Sequence, residues 1–365
     1  MSDLSDVSRI TQFPEREPVA QLPLLPEREP VAQLPLLPER EPVAQLPPLP
    51  EGGPVAEGPP RPPPLAVPGR PGALGLPLGL LRTARPRQWV KNVLVAAAPA
   101  AAGEPLSRGA VTQLGLIFVL FTAAASAVYL VNDARDAEAD RAHPVKCLRP
   151  VAAGQVPVPV AYAAGALLAV AATTAAAVLC NGMTAALLCA YIVMQLAYCV
   201  SLKHILVVDL TVVTTGFLMR AMIGGVALGI PLSRWFLITA GFGALFMVGA
   251  KRYSEAVQME GDGRTRALLS EYTTGYLRFV WQLASGVAVL AYCLWAMESS
   301  GPPGAGLLPW RQLSMVPFIL SILRYAVFAD RGAAGAPEDV ILGDRALAVI
   351  AVAWIAMYAL AVARL

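Results

Sequence analysis

Histidine is nearly absent from this 365-residue chain: His143 and His204 are its only two, which excludes a histidine-rich metal centre. Charge is scarce too, at 15% of residues with a net of +3, and no basic stripe interleaved with aromatics appears. Nucleic acid is therefore not an expected partner. The five cysteines, Cys147, Cys180, Cys189, Cys199 and Cys293, have no metal-ligand spacing, and four lie in apolar runs where a thiol acts as a small hydrophobe. The first thirty residues lack the apolar core of a secretory signal, so the first hydrophobic span is expected to be its own uncleaved insertion signal. What is plentiful is apolar: 56% hydrophobic residues and a mean hydropathy of +0.57 describe a polytopic membrane protein.

Residues 1–84 differ in composition from the rest. The unit PEREPVAQLPLL starts at Pro14, recurs at Pro26, and recurs with one change at Pro38. Proline at this density forbids helix and removes sheet donors, and each unit has too few apolar residues to stack as a solenoid. A disordered, partly polyproline-II tail is expected, with no functional role assigned to it. From Arg85 to Leu365 the chain reads as one all-α transmembrane domain. Apolar segments near 88–102, 109–131, 156–179, 183–201, 207–228, 234–250, 275–297, 311–329 and 345–363 give nine expected spans, the first weakened by Lys91, Asn92 and Pro99. The connections Asn132–Gln155, Ser201–Leu206, Lys251–Thr274 and Arg324–Asp344 carry most of the Lys and Arg, which places that side in the cytoplasm and the protein in the plasma membrane.

Chemistry concentrates on that basic side. Directly after the span ending at Val131 come Asn132, Asp133, Asp136 and Asp140, at three- and four-residue spacings that put them on one face if the helix continues. Like charges this close repel unless a cation sits among them, and hard oxygen ligands suit Mg²⁺. Arg141, His143, Lys146 and Arg149 follow, supplying cations for phosphate oxygens. A solvated positive-inside loop would explain the bases but not the Asn/Asp ladder. His143, which precedes a proline, is also a natural loop anchor. Ser201-Leu202-Lys203-His204 form a second cluster, with Asp209 opening the next span. Lys251, Arg252 and Tyr253, then Asp262, Arg266 and Tyr272, form a third, in which a Lys251–Glu255 helical ion pair competes with substrate binding. Arg220 lies mid-span, where a guanidinium needs a polar cavity or partner, and Gly224 and Gly225 one turn on admit a close neighbour.

Asn132-Asp133-x-x-Asp136-x-x-x-Asp140-Arg141 after the second of nine spans resembles the UbiA superfamily of intramembrane prenyltransferases, over roughly Arg85 to Leu365. Arg85-Pro86-Arg87-Gln88-Trp89-Val90-Lys91-Asn92, His143-Pro144-x-Lys146-x-x-Arg149-Pro150 and Lys251-Arg252-Tyr253 are similar to its actinobacterial decaprenyl-phosphate phosphoribosyltransferase branch. The resemblance implies a helical bundle open laterally to a polyprenyl chain. It implies transfer of 5-phosphoribosyl from phosphoribosyl diphosphate (PRPP) to polyprenyl phosphate, releasing diphosphate, in the supply of the arabinose-donor lipid of mycobacterial-type cell walls. In these terms Asn132, Asp133, Asp136 and Asp140 hold Mg²⁺, and Asp136, Lys146 and Arg149 act on the leaving diphosphate. Lys91, Arg141, His143, Lys203, Arg220, Lys251, Arg252, Tyr253, Asp262, Arg266 and Tyr272 are the expected substrate contacts. The second Asp-rich motif usual in the superfamily is replaced here by Lys251-Arg252-Tyr253-Ser254-Glu255. Fewer carboxylates and more bases suit a donor and an acceptor that both carry phosphate. Transfer of a prenyl group to an aromatic acceptor and cation-coupled transport are the competing readings, and a homo-oligomer stays open.

Overall fold

The computed structural model describes residues 75–103, 107–262, 272–298 and 309–362. Among these the chain is helical with no strand. The repeat units lie outside the described residues. Helix begins at Gly75, before the expected boundary at Arg85: α1 (Gly75–Thr83) places Leu76 and Leu80 against Val151 and Val156. The stretch expected as a weak first span is a 3-10 segment, Pro86–Ala96, running into the short α2 (Ala97–Ala102). Its polar start and Pro99 deny it a long regular helix.

The succeeding helices are α3 (Arg108–Arg135), α4 (Ala137–Arg141), α5 (Val158–Leu179), α6 (Gly182–Val200), α7 (Val208–Ala227), α8 (Arg234–Asp262) and α9 (Thr274–Met297), then α10 (Trp310–Leu313), α11 (Met315–Asp330), α12 (Pro337–Gly343) and α13 (Arg345–Val362). Among the described residues, six stretches are long and apolar enough to cross a membrane: α3, α5, α6, α7, α9 and Trp310–Asp330. α13 is apolar but shorter, and α8 gains charge at Lys251 and Arg252, which lowers its hydropathy.

Two apolar cores meet at α7. Phe121, Leu188, Tyr191 and Ile223 centre the one between α3, α6 and α7; Leu210, Phe246, Trp281 and Tyr325 centre the other, between α7, α8, α9 and α11. Gly224 is required where α7 passes the 3-10 segment, because a Cβ there would run into the Val95 carbonyl. The close approach expected at Gly224 and Gly225 is thus made by the segment that begins at Pro86.

Apart from mid-span ties such as Asn92 to Thr122 (2.8 Å), several polar ties between elements fall at two ends. At one end Arg135 donates to the Val200 carbonyl (3.2 Å), Val207 N–H to Tyr272 Oη (2.7 Å) and Ala334 N–H to Ser254 Oγ (3.0 Å). At the other, Gln113 donates to the Ala227 carbonyl (2.9 Å), Arg234 to Glu298 (2.5 Å) and Tyr358 to the Ala100 carbonyl (2.8 Å). Successive long helices therefore run alternately between the same two ends.

Candidate active site

The aspartate segment sits where α3 leaves the apolar core. Backbone bonding continues through the boundary, Asp136 N–H to Asn132 carbonyl (2.9 Å) and Asp140 N–H to Asp136 carbonyl (2.8 Å), but Asp136 itself leaves helical geometry at φ −85°, ψ 2°. The expected single-face ladder is accordingly split. Asp133 and Asp140, 2% and 3% exposed, turn inward, whereas Asp136 turns to the loop after α6.

Bases occupy the carboxylates. Arg149 spans two of them, 2.7 Å from Asp140 Oδ2 and 3.4 Å from Asp133 Oδ1. Arg85 reaches the same Asp133 oxygen at 2.7 Å, and Lys146 lies 3.9 Å from Asp140. Lys203 meets both oxygens of Asp136, at 3.3 and 3.4 Å. Asn132 donates to Asp133 at 3.5 Å, the limit of a hydrogen bond. Among the described residues no three His, Cys, Asp or Glu side chains converge as a ready metal cage. The donor set nonetheless fits Mg²⁺ chemically: four oxygen-bearing side chains within nine residues, each carboxylate already neutralised by a cation.

Arg85 is a site residue that the sequence reading used only as part of a motif. It adopts φ 55°, ψ 66° ahead of Pro86, and its guanidinium lies 4.7 Å above the Tyr129 ring. Its sole sequence signal is its place at the head of Arg85-Pro86-Arg87-Gln88-Trp89. Lys91 lies half-buried farther along that 3-10 segment.

Several expected substrate contacts have partners inside the protein. Arg141 Nε donates to the Ala152 carbonyl (3.2 Å), and His143 Nδ1 accepts the Val145 and Lys146 N–H groups (3.2 and 3.3 Å), which shapes the loop that presents Lys146. Arg252 binds Asp209 (3.1 Å) and Glu255 (3.0 Å). Lys251, 43% exposed, lies 3.9 Å from Glu255. Tyr253 is buried and accepts from Arg278 (2.6 Å), while Tyr272 accepts from the Val207 amide. Tyr198 was not among the expected site residues, and Asp209 and Glu255 were expected beside the site without a substrate role. Asp209 joins them into one network by accepting from Tyr198 at 2.6 Å and from Arg252. The Asp262 side chain and Arg266 lie outside the described residues.

Arg220 is 7% exposed and sheltered by aromatic faces: Phe121 at 5.1 Å, Phe217 at 5.2 Å and Tyr191 at 5.9 Å. It donates to Tyr191 Oη (3.2 Å), and its Nε has no partner among the described residues. Ring quadrupoles supply the compensation that a carboxylate would otherwise give.

A profile of the UbiA prenyltransferase family matches residues 92–342. Over 293 residues the sequence is 50% identical to a decaprenyl-phosphate phosphoribosyltransferase of Mycobacterium tuberculosis, covering 78% of this chain and 94% of the relative. A protein of the same description from Corynebacterium glutamicum is 47% identical over 289 residues, covering 78% of this chain and 86% of that one. A UbiA homolog from Archaeoglobus fulgidus, solved bound to GPP and Mg²⁺, shares the fold with a TM-score of 0.58 at 16% identity, over 78% of this chain and 99% of that one.

Proposed function

The chain belongs to the UbiA prenyltransferase family, and from that premise we propose that it moves the 5-phosphoribosyl group of PRPP onto decaprenyl phosphate, with release of diphosphate. The single observation that carries the site is the alternation of charge around the end of α3. Asp133, Asp136 and Asp140 are interleaved with Arg85, Lys146, Arg149 and Lys203. Half-identity to phosphoribosyltransferases over most of both chains supports the choice of donor and acceptor.

Asn132, Asp133, Asp136 and Asp140 would hold Mg²⁺, which when bound neutralises charge on the departing diphosphate. Arg85, Lys146, Arg149 and Lys203, which lie against these carboxylates, would bind phosphate oxygens of the donor. Arg149 and Lys146 are on the loop following the aspartates, and Lys203 reaches Asp136 from the loop after α6. Arg149 and Arg85 offer planar forks suited to diphosphate, and the lysines act as point charges. The bond from the anomeric carbon to the diphosphate oxygen breaks, and a bond from that carbon to an oxygen of the lipid phosphate forms. The nucleophile is already an anion, so no general base is needed. Positioning and electrostatic stabilisation of an oxocarbenium-like transition state supply most of the rate. In-line displacement on an α-configured donor gives a β-linked product.

The alternation of ties between two ends supports nine membrane crossings, counting the 3-10 segment with α2, together with α8 and α13, beside the six longer apolar stretches. The excess of Lys and Arg at the aspartate end supports a cytoplasmic site, where a water-soluble donor meets a lipid acceptor.

The deciding experiment follows label from PRPP into decaprenyl phosphate in purified membranes, with and without Mg²⁺, for wild type and Asp136→Ala. Mg²⁺-dependent label in the lipid phase that the variant loses is the expected result. Label moving instead from a prenyl diphosphate into an aromatic acceptor would retain the fold and replace the chemistry.

A further inference from the structure

Lys203 lies within, and Asp209 closely follows, a short loop between α6 and α7 whose backbone is under strain. Val207 sits at φ 66°, ψ −41°, and the Val208 N–H closes onto the Leu206 carbonyl at 2.7 Å. This is a γ-turn of the rare hand, centred on a β-branched residue. Val207 is 52% exposed, so burial of its side chain does not hold it there. Such a conformation is costly and persists only where its surroundings over-determine it.

The surroundings can be named. Tyr272, at the start of α9, accepts the Val207 N–H through a hydroxyl on a side chain only 6% exposed overall. Asp209, 1% exposed, is clamped through Oδ1 by Tyr198 of α6 and Arg252 of α8, and Arg252 is itself braced by Glu255. Among the described residues the Asp209 Oδ2 is buried with no hydrogen-bond partner, and a buried carboxylate held through one oxygen is costly on its own account. On the opposite side of the loop, Arg135 donates to the Val200 carbonyl and Lys203 meets Asp136. Bonds from α3, α6, α8 and the start of α9 thus fall on this loop and its two flanks, and the lysine within it is paired with Asp136 of the aspartate site.

We propose that the Leu206–Val207–Val208 turn is a sprung hinge, that Tyr272 and Asp209 are positioning residues holding it, and that what they position is the Lys203 ammonium for the leaving diphosphate. Neither residue touches substrate. Each fixes the backbone from which Lys203 reaches Asp136, and release of either lets the turn relax and carries the ammonium away. The proposal rests on the diphosphate-site reading but not on the identity of the donor, since PRPP and prenyl diphosphates share the same leaving group.

The test is calorimetric titration of inorganic diphosphate with Mg²⁺ into the full-length protein in detergent. Tyr272→Phe is expected to weaken binding about tenfold, the equivalent of part of the turn's strain. Glycine adopts positive φ without cost, so in a Val207→Gly background the tie becomes dispensable and Tyr272→Phe changes affinity less than about twofold. Asp209→Asn is expected to weaken binding similarly, with partial rescue in Asp209→Glu. In a Lys203→Ala background none of these substitutions should weaken binding further. Additive effects of Tyr272→Phe and Val207→Gly, undiminished losses without Lys203, or wild-type affinity in Tyr272→Phe would each overturn the proposal. Should Asp209→Asn not fold, the Tyr272–Val207 cycle still decides. The label-transfer assay on wild type judges the donor separately, so failure of one reading is distinguishable from failure of the other.

Discussion

Among the described residues Arg149 is the one side chain bonded to two of the buried aspartates, and its removal leaves Asp133 and Asp140 as neighbouring like charges with one guanidinium and one distant ammonium between them. Breaking a buried pair by deleting one partner costs about 3 kcal/mol, so Arg149→Ala is expected to melt several degrees below wild type and to lose nearly all transfer activity. The same deletion makes the site hungrier for a cation. Mg²⁺ should therefore raise the melting temperature of Arg149→Ala more than that of wild type, and an equal shift in the two would count against a metal among these aspartates. The ladder was legible in the sequence because all four oxygen donors fall within nine residues at helical spacings. The ion pairs of Arg85 and Asp209 were not, because their partners lie 48 and 43 positions away, and nothing local marks a residue as the other half of a distant ion pair. Arg252 and Tyr272 were legible as site residues but not in their roles. Composition shows which groups are present, whereas only packing shows that both already have partners inside the protein.

At the scale of elements, the nine apolar segments all coincide with helical stretches, while their ends and kinks follow local chemistry that hydropathy does not register. The turn at Asp136 shows this: helical spacing placed three carboxylates on one face, and a single non-helical residue sent the middle one elsewhere. The start of α13 offers a test that does not involve catalysis. Asp344 caps it by accepting the Leu347 N–H, and Arg324 of α11 grips both its oxygens, at 3.2 and 2.6 Å. The Arg324 bonds, with help from the cap, hold the Asp344 carboxyl below the ordinary carboxylate range. A depressed folded value stabilises above the unfolded value, near about 3.9, and that contribution is lost as pH falls through the folded value. The melting difference between wild type and Asp344→Asn is expected to stay constant from about pH 7 to 5 and to shrink below about pH 4. A difference that widened on acidification would assign the cap to some other interaction.

For the whole molecule, sidedness is the claim most open to direct measurement. Cys147 lies in the 3-10 turn Lys146–Leu148 beside the aspartates, on the face assigned to the cytoplasm, and is partly accessible. A membrane-impermeant thiol reagent should label it in inverted vesicles and spare it in right-side-out ones, with Cys147→Ser as the blank; the reverse pattern would turn the protein over. The double core has a consequence for how such a chain is made. Arg220 enters the bilayer on α7, at an intrinsic penalty of about 2.5–3.5 kcal/mol for a guanidinium at mid-span. The rings that shelter it belong to α3, α6 and α7 itself, all of them synthesised before α7 is complete. Biogenesis is thereby ordered: the earlier half must already be assembled to receive α7, and α7 then presents the finished wall on which the later helices build.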